Sequence, residues 1–216
     1  MESPLDKYIR EHSTPLPPAL EWLERQTNIR TNYPRMLSGP VQGQLLKMLV
    51  EISAARRVLE IGAFTGYSST CMALGLPEDG HIDTLELNDE LESLIREAWD
   101  KAGVSGKITL HIGDAKETLR ELVAAGCRYD FVFVDANKRE YLDYYESVME
   151  MLTPGGLILA DDTLWDGKVY ADPLPHDAQT KGLLAFNDRL MEDRRVEAVM
   201  LPLRDGLTLV RKKNSL

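Results

Sequence analysis

The stretch Arg57-Val-Leu-Glu-Ile-Gly-Ala-Phe-Thr-Gly-Tyr-Ser68 constrains the fold more than any other part of the chain. An apolar run enters a glycine-bearing turn and then helix-forming residues. That order opens a doubly wound α/β sheet, in which ligands bind beyond the carboxyl ends of the strands. A dinucleotide turn needs G-x-G-x-x-G, so that the backbone can approach a pyrophosphate. Here Phe64 stands two positions after Gly62 and blocks that approach, which opposes an NAD-dependent dehydrogenase. Glu60 directs a carboxylate toward the same place and would repel phosphates. The turn therefore suits a nucleoside with a cationic end, such as S-adenosylmethionine (AdoMet). Glu86 lies 24 residues after Gly62, near the roughly 20-residue offset at which an acidic side chain meets ribose hydroxyls.

From residue 58 onward, strand and helix patterns alternate. Strands are expected at 58–61, 82–85, 108–111, 131–134 and 157–160, and helices at 67–74, 89–101, 116–125 and 141–152. Asp114 and Glu117 have capping-box spacing at the start of one of these helices. Such alternation with short loops implies a mostly parallel sheet covered on both faces. The tail reads differently, as a helix at 181–193 and strands at 196–202 and 207–211. Asp205-Gly206 between those strands is a hairpin signal, so the sheet ends with an antiparallel strand. Ahead of the alternation, Leu20, Trp22 and Leu23 follow the Pro15-Leu-Pro-Pro18 break, and Val41, Leu45, Met48, Leu49 and Ile52 repeat at helical spacing. One domain over 1–216 is expected, with a helical part at 1–55 and an α/β core at 56–216.

Charge and cysteine usage narrow the partners. The formal charge is −10, and so acidic a chain is repelled by nucleic-acid backbones unless it carries a basic stripe. The only dense basic run, Arg211-Lys212-Lys213, is read as a solvated tail. Cys71 and Cys127 lack CxxC spacing, which points to a reducing, cytoplasmic compartment without disulfides or structural zinc. The segment from Met1 to Asp6 lacks the basic and apolar regions of a secretory signal. No apolar run approaches the length that spans a membrane.

The strand ends carry the chemistry. Phe131-Val-Phe-Val-Asp135 ends one strand with a carboxylate, and Leu157-Ile-Leu-Ala-Asp161-Asp162 ends another with two. Adjacent strands lie ~4.8 Å apart, so Asp135, Asp161 and Asp162 are expected to converge. Converging carboxylates call for a positive charge between them, and a hard, oxygen-seeking cation such as Mg²⁺ is the natural candidate. Helix or turn capping is the plainer role for any single Asp. Lys138, three residues after Asp135, would stand beside this site; a nearby cation and partial burial would lower its pKa and let it accept a proton. His12, His81, His111 and His176 have no mutual ligand spacing, and His111 is read as packing in its strand.

Together these residues resemble the cation-dependent O-methyltransferases, the family of catechol and caffeoyl-CoA O-methyltransferases. The likeness runs from Gly43-Gln44 through VLEIGAFTGYSS, FVFVDANKREYLDYYE and PGGLILADDTLWDGKV to LPLRDGLTLVRK. The resemblance implies a seven-stranded sheet whose last strand is antiparallel. It implies that Glu60, Gly62, Phe64, Ser68 and Glu86 hold AdoMet, with Met36 and Ser38 near its methionine end, Asp114 and Ala115 against the adenine, and Asp135 nearby. Asp135, Asp161 and Asp162 match the metal ligands, and Lys138 matches the general base. The implied reaction moves a methyl group to one hydroxyl of a vicinal dihydroxy aromatic, a catechol-type small molecule. Trp165 would wall the acceptor pocket or else belong to the core, as buried aromatics usually do, with Tyr170 and the loop 166–168 as further walls. A homodimer is implied as well. Two departures stand out: the family's third ligand is usually Asn where Asp162 stands, and neither Val199 nor its neighbours Ala198 and Met200 supply the Glu that meets the acceptor ahead of the final hairpin. Against this reading stand a metal-independent AdoMet enzyme with another acceptor and a non-catalytic AdoMet-binding protein.

Overall fold

Seven strands carry the apolar runs: β1 (Arg57–Ile61), β2 (His81–Glu86), β3 (Ile108–Ile112), β4 (Tyr129–Val134), β5 (Leu152–Ala160), β6 (Val196–Leu201) and β7 (Leu207–Lys212). The computed structural model describes residues 3–214; Met1 and Glu2, at the head of the segment read for a secretory signal, and Ser215 and Leu216 lie outside them. The strands form one sheet in the order β3-β2-β1-β4-β5-β7-β6. The pairs among β1 to β5 are parallel, and β7 runs antiparallel to both β5 and β6. The hairpin signal at Asp205-Gly206 thus marks the β6–β7 connection. Strand order reverses between β1 and β4, which places a crevice at their carboxyl ends.

Eight α-helices accompany the sheet among the described residues: α1 (Pro4–Glu11), α2 (Pro18–Arg30), α3 (Gly39–Ile52), α4 (Tyr67–Gly75), α5 (Glu92–Ala102), α6 (Ala115–Ala124), α7 (Tyr141–Met151) and α8 (Ala178–Glu192). Alternate residues of the central strands point to opposite faces. Val58, Phe131 and Phe133 therefore pack with Leu46 of α3, Met72 of α4 and Trp99 of α5. Leu59, Ile61, Val132 and Val134 pack with Leu119 of α6, Tyr145 of α7 and Phe186 of α8. Asp114 caps α6, its side chain accepting from the Lys116 and Glu117 backbone N–H groups at 2.8 and 3.1 Å.

The structure departs from the sequence expectation in four places. β5 starts at Leu152, directly after α7, and not at residue 157; Leu152 pairs with Tyr129, and the register shifts before regular pairing resumes at Leu157. Pro154-Gly155-Gly156, between the expected helix at 141–152 and the expected strand at 157–160, belong to the irregular first half of this strand. Arg211 and Lys212 are not a solvated tail but the end of β7. Lys212 Nζ donates to the Met149 and Leu152 carbonyls at 2.8 and 2.7 Å, pairing acceptors at the end of α7 that the helix leaves open. His111 does more than pack, since its Nε2 lies 2.9 Å from Asp83 Oδ1, and Tyr129 donates to the other Asp83 oxygen. α1 escaped the periodicity reading because it buries no residue. No helix among the described residues is long and apolar enough to cross a membrane.

Candidate active site

β1 runs into its turn with backbone geometry that only glycine accepts easily. Gly62 has φ +98°, and a methyl group there would collide with the Asp135 carbonyl at the tip of β4. The two central strand ends therefore touch, backbone against backbone. The Gly62 and Ala63 N–H groups both donate to the Leu85 carbonyl at 3.0 Å. Glu86 clamps the turn from the next strand: one carboxylate oxygen accepts from the Phe64 N–H at 2.7 Å, the other from the Asn88 N–H at 2.8 Å.

Two cavities open over these tips. One, about 410 Å³, is lined by Met36, Gly62, Phe64, Glu86, Asp114, Ala115 and Asp135, among others. The second, about 330 Å³, holds Asp135, Lys138, Asp161, Asp162, Trp165 and Arg204 on its wall. They share Met36, Phe64 and Asp135 to Asn137, so a ligand in one faces a ligand in the other across Asp135. A larger cavity of about 590 Å³ lies between the α1–α2 connection and the start of α4. It shares no lining residue with the two strand-tip cavities, and chemistry outweighs size in choosing the site.

Three residues expected at the cofactor do not line the first cavity. Glu60 is fully buried, and its carboxylate accepts short hydrogen bonds from the Ser68 and Thr84 hydroxyls. It thus lies beneath the turn, between β2 and α4, instead of pointing out of it. Ser38 is buried at the start of α3, its carbonyl accepting from Arg204. Burial, partly offset by Ser68 and Thr84, lifts the Glu60 pKa from its ordinary 4.5 to about 7. A raised carboxyl pKa means the folded chain keeps a proton that the unfolded chain releases between those values. Stability therefore falls as pH rises through that window and levels off above it, by an amount on the order of 3 kcal/mol. Glu60→Gln is expected to flatten this slope, so its urea midpoint should gain on that of the wild type between roughly pH 5 and pH 8; parallel midpoints at the two pH values would contradict the account.

At the second cavity the three aspartates stand together, and Lys138 partly offsets their charge. Lys138 is 6% exposed. Its ammonium donates to Asp135 Oδ1 and the Tyr141 hydroxyl, both at 2.8 Å, and lies 2.9 Å from Asp162 Oδ2. Burial opposes the ammonium, yet Asp135, Tyr141 and Asp162 outweigh it and hold its pKa well above the ordinary lysine value. The lowering expected from the sequence is conditional on a cation beside Lys138; its nearest charged neighbours here are the carboxylates of Asp135 and Asp162, which favour the ammonium. Asp161 is buried at the tip of β5, and burial followed by the charges of Asp135 and Asp162 raises its pKa to about 7. Its Oδ1 accepts from the Asp162 N–H at 3.0 Å and its Oδ2 from Gln42 Nε2 at 2.5 Å.

Among the described residues no three acidic, imidazole or thiol groups have the placement of a metal site; Lys138 supplies the positive charge between Asp135 and Asp162. The donor set nevertheless fits a hard dication in kind, being all oxygen and strongly anionic where Asp135 and Asp162 meet. Asp162 adopts φ +56°, a conformation that Asp and Asn tolerate better than other side chains. Asp162→Asn should therefore fold normally. It is expected to bind Mg²⁺ or Mn²⁺ more weakly while keeping measurable turnover, as read by calorimetry and a methylation assay; complete loss of both would contradict this.

Trp165 is both wall and core: it lines the second cavity and packs against the cluster beneath α7 and α8. Its ring lies 5.2 Å from Lys168 Nζ and 6.0 Å from Lys138 Nζ, and its indole N–H is buried without a partner. Tyr170 does not join it; that side chain is 71% exposed. Several contributors escaped the sequence reading. Tyr141 donates to the Asp161 and Val134 carbonyls at 2.9 and 3.2 Å, fastening the tips of β5 and β4. Glu140 and Tyr144 complete the first cavity, and Arg35, Gln179 and Arg204 the second. Tyr141 stands three residues after Lys138, a spacing that places both on one helical face.

Comparison with known proteins agrees with this geometry. The O-methyltransferase family model matches residues 10–213. Caffeoyl-CoA O-methyltransferase 2 of Zea mays is 42% identical over 188 residues, covering 82% of this chain and 70% of that protein. Catechol O-methyltransferase domain-containing protein 1 of Mus musculus is 37% identical over 213 residues, covering 98% and 80%. The structure of the O-methyltransferase TomG from Streptomyces achromogenes, solved in complex with SAM, superposes with a TM-score of 0.91 at 30% identity and covers 97% of this chain and 96% of that one. With that match along nearly its whole length, and with paired cavities at the strand switch point, the chain belongs to the O-methyltransferase family.

Proposed function

We propose that this enzyme, an O-methyltransferase by family, moves the methyl group of AdoMet to one hydroxyl of a vicinal dihydroxy aromatic, with a divalent cation held by Asp135, Asp161 and Asp162. The observation that carries the reading is the pair of adjoining cavities, one bounded by Glu86, Asp114 and Phe64, the other by the strand-tip aspartates, with Asp135 common to both. TomG's bound SAM supports the donor, and the relatives named for caffeoyl-CoA and catechol support an aromatic hydroxyl as acceptor. The formal charge of −10 favours a small molecule over nucleic acid.

AdoMet supplies an electrophilic methyl carbon, and the cation, when bound, supplies Lewis acidity to the acceptor hydroxyls. The protein's own contribution is placement. Glu86 offers its carboxylate to the ribose, and Asp114 and Ala115 border the adenine end. Phe64 and Met36, shared by the two cavities, set the gap across which the groups meet. Glu60 and Ser68 shape the methionine end from below the turn. With a dication in place of its ammonium as countercharge to Asp135 and Asp162, Lys138 would be free to give up its proton to solvent and then take that of the reacting hydroxyl, whose oxygen bonds to the methyl carbon as the carbon–sulfur bond breaks. Trp165 presents a flat apolar wall to the aromatic ring. Little covalent assistance is needed, so orientation and charge account for most of the acceleration.

The test is a panel of aromatic acceptors incubated with radiolabelled AdoMet, with Mg²⁺ or with EDTA. Turnover is expected for vicinal diols and not for monohydroxy analogues, and it should vanish in EDTA and return with excess Mg²⁺. Full turnover in EDTA would remove the cation from the reading. Turnover of monohydroxy rings alone would remove the vicinal diol.

A further inference from the structure

Asp161 is the most buried of the three strand-tip aspartates, and what holds it comes from far away in the chain. Gln42, fully buried on α3, donates from Nε2 to Asp161 Oδ2 at 2.5 Å. The other end of the same amide accepts from Arg204 Nη1 at 3.3 Å. Arg204 sits in the turn between β6 and β7 at φ +52°, and that nitrogen also makes a short bond to the Ser38 carbonyl. Its second nitrogen reaches the Arg35 carbonyl at 3.5 Å. One side chain thus ties the last hairpin to both sides of Met36, one of the residues common to the two cavities.

The chemistry of this chain of bonds is directional. A guanidinium only donates and an ionised carboxylate only accepts. A side chain standing between them must accept at one end and donate at the other. Glutamine does both while remaining neutral. Glutamate would set an acceptor against Asp161, and an aliphatic residue would leave both charges unpaired in a buried place, at the cost of their desolvation. Arg204 therefore fixes which way the Gln42 amide points, and Gln42 fixes the Asp161 carboxylate.

We propose that Gln42 and Arg204 are positioning residues for the acceptor half of the site, acting as an outer shell that orients Asp161 toward the cation and acceptor. The inference rests on the cation-dependent reading above. It separates the two residues: Gln42 touches only Asp161's side of the site, whereas Arg204 also restrains the segment around Met36 and so reaches the AdoMet side.

The full-length wild type and the variants Gln42→Met, Gln42→Glu and Arg204→Lys are compared by Mn²⁺ titration, AdoMet calorimetry, steady-state kinetics and thermal melting. Both Gln42 variants are expected to weaken Mn²⁺ binding and lower acceptor kcat/KM by ~10–100-fold, with AdoMet affinity unchanged. Arg204→Lys keeps the charge but loses the fork, so Mn²⁺, acceptor and AdoMet parameters should weaken together. A folded Gln42→Met protein with wild-type Mn²⁺ affinity and acceptor KM overturns the proposal. So does a Gln42 variant in which AdoMet and Mn²⁺ affinities fall equally alongside the melting temperature, since that is general loosening. If Gln42→Met does not fold, Gln42→Glu, which keeps its acceptor toward Arg204, decides by the same readouts. A wild type that binds no Mn²⁺ and works without it sinks the cation reading instead, and the inference then stands or falls on acceptor KM alone.

Discussion

Replacing Lys138 by Met is expected to lower kcat by ~10²–10⁴-fold, the range typical of losing a general base, with little change in AdoMet affinity. The same change should destabilise the ligand-free protein. Asp135 and Asp162 lie 2.8 and 2.9 Å from the Lys138 ammonium, and without it they face each other uncompensated. Removing one partner of a buried ion pair costs up to ~3–5 kcal/mol, and partial exposure of Asp162 places the cost toward the lower end. The raised pKa of Lys138 carries a sign: a group whose folded pKa lies above its unfolded value stabilises at all pH values below the latter. Its contribution is therefore intact through the neutral range and lost only in strong alkali. Added Mg²⁺ should restore much of the stability of Lys138→Met, because a dication can take over the countercharge. Lys138→Arg separates the two roles. A guanidinium keeps the charge but is not deprotonated in proteins, so this variant should melt near the wild type and still turn over poorly. Wild-type kcat in Lys138→Arg would exclude Lys138 from proton transfer and leave it a purely structural cation.

What the sequence disclosed follows from what residue patterns encode. Near-continuous apolar runs disclosed the central parallel strands, because both of their faces are covered, and an Asp at the end of such a run is placed at the sheet's carboxyl edge by geometry alone. Asp135, Asp161 and Asp162 were legible for that reason. So was Gly62, since a turn after a strand needs its φ. Side-chain direction was not legible. Glu60 occupies the expected position on β1 but points beneath the turn, where the Ser68 and Thr84 hydroxyls satisfy it. Long-range contacts were invisible too, because no local period links residue 42 to residue 161 or residue 204 to residue 38. The ion pairs of Lys138 with Asp135 and Asp162 were not legible either, because sequence gives neighbours along the chain and not the balance of charge around a buried atom. α1 was missed since a helix that buries nothing leaves no core-facing stripe to detect.

Gly62→Ala should abolish useful AdoMet binding, with a loss of affinity greater than ~10²-fold, the scale at which displacement of a reacting group by about 1 Å is felt. Two costs meet at this position. A side chain at φ +98° occupies a region that residues other than glycine enter at ~1–3 kcal/mol. The added methyl also overlaps the Asp135 carbonyl, with Ala136 close behind, and crowding a packed interior costs a further ~1–3 kcal/mol. The strain cannot dissipate locally. The Asp135 N–H donates to the Ile61 carbonyl at 2.9 Å, and Asp161 N–H is tied to Val134 at the same distance. Moving the Asp135 backbone therefore drags its carboxylate and the neighbouring strand tip, disturbing both cavities from their shared wall. Gly106→Ala serves as the comparison, because a methyl there meets nothing within 4 Å and requires no unusual φ. Calorimetry with AdoMet and thermal melting should show Gly62→Ala weak in both and Gly106→Ala unchanged in both. If Gly62→Ala bound AdoMet like the wild type, the contact between the β1 and β4 tips would not be what shapes the cofactor cavity, and the placement of Asp135 between donor and acceptor would lose its structural basis.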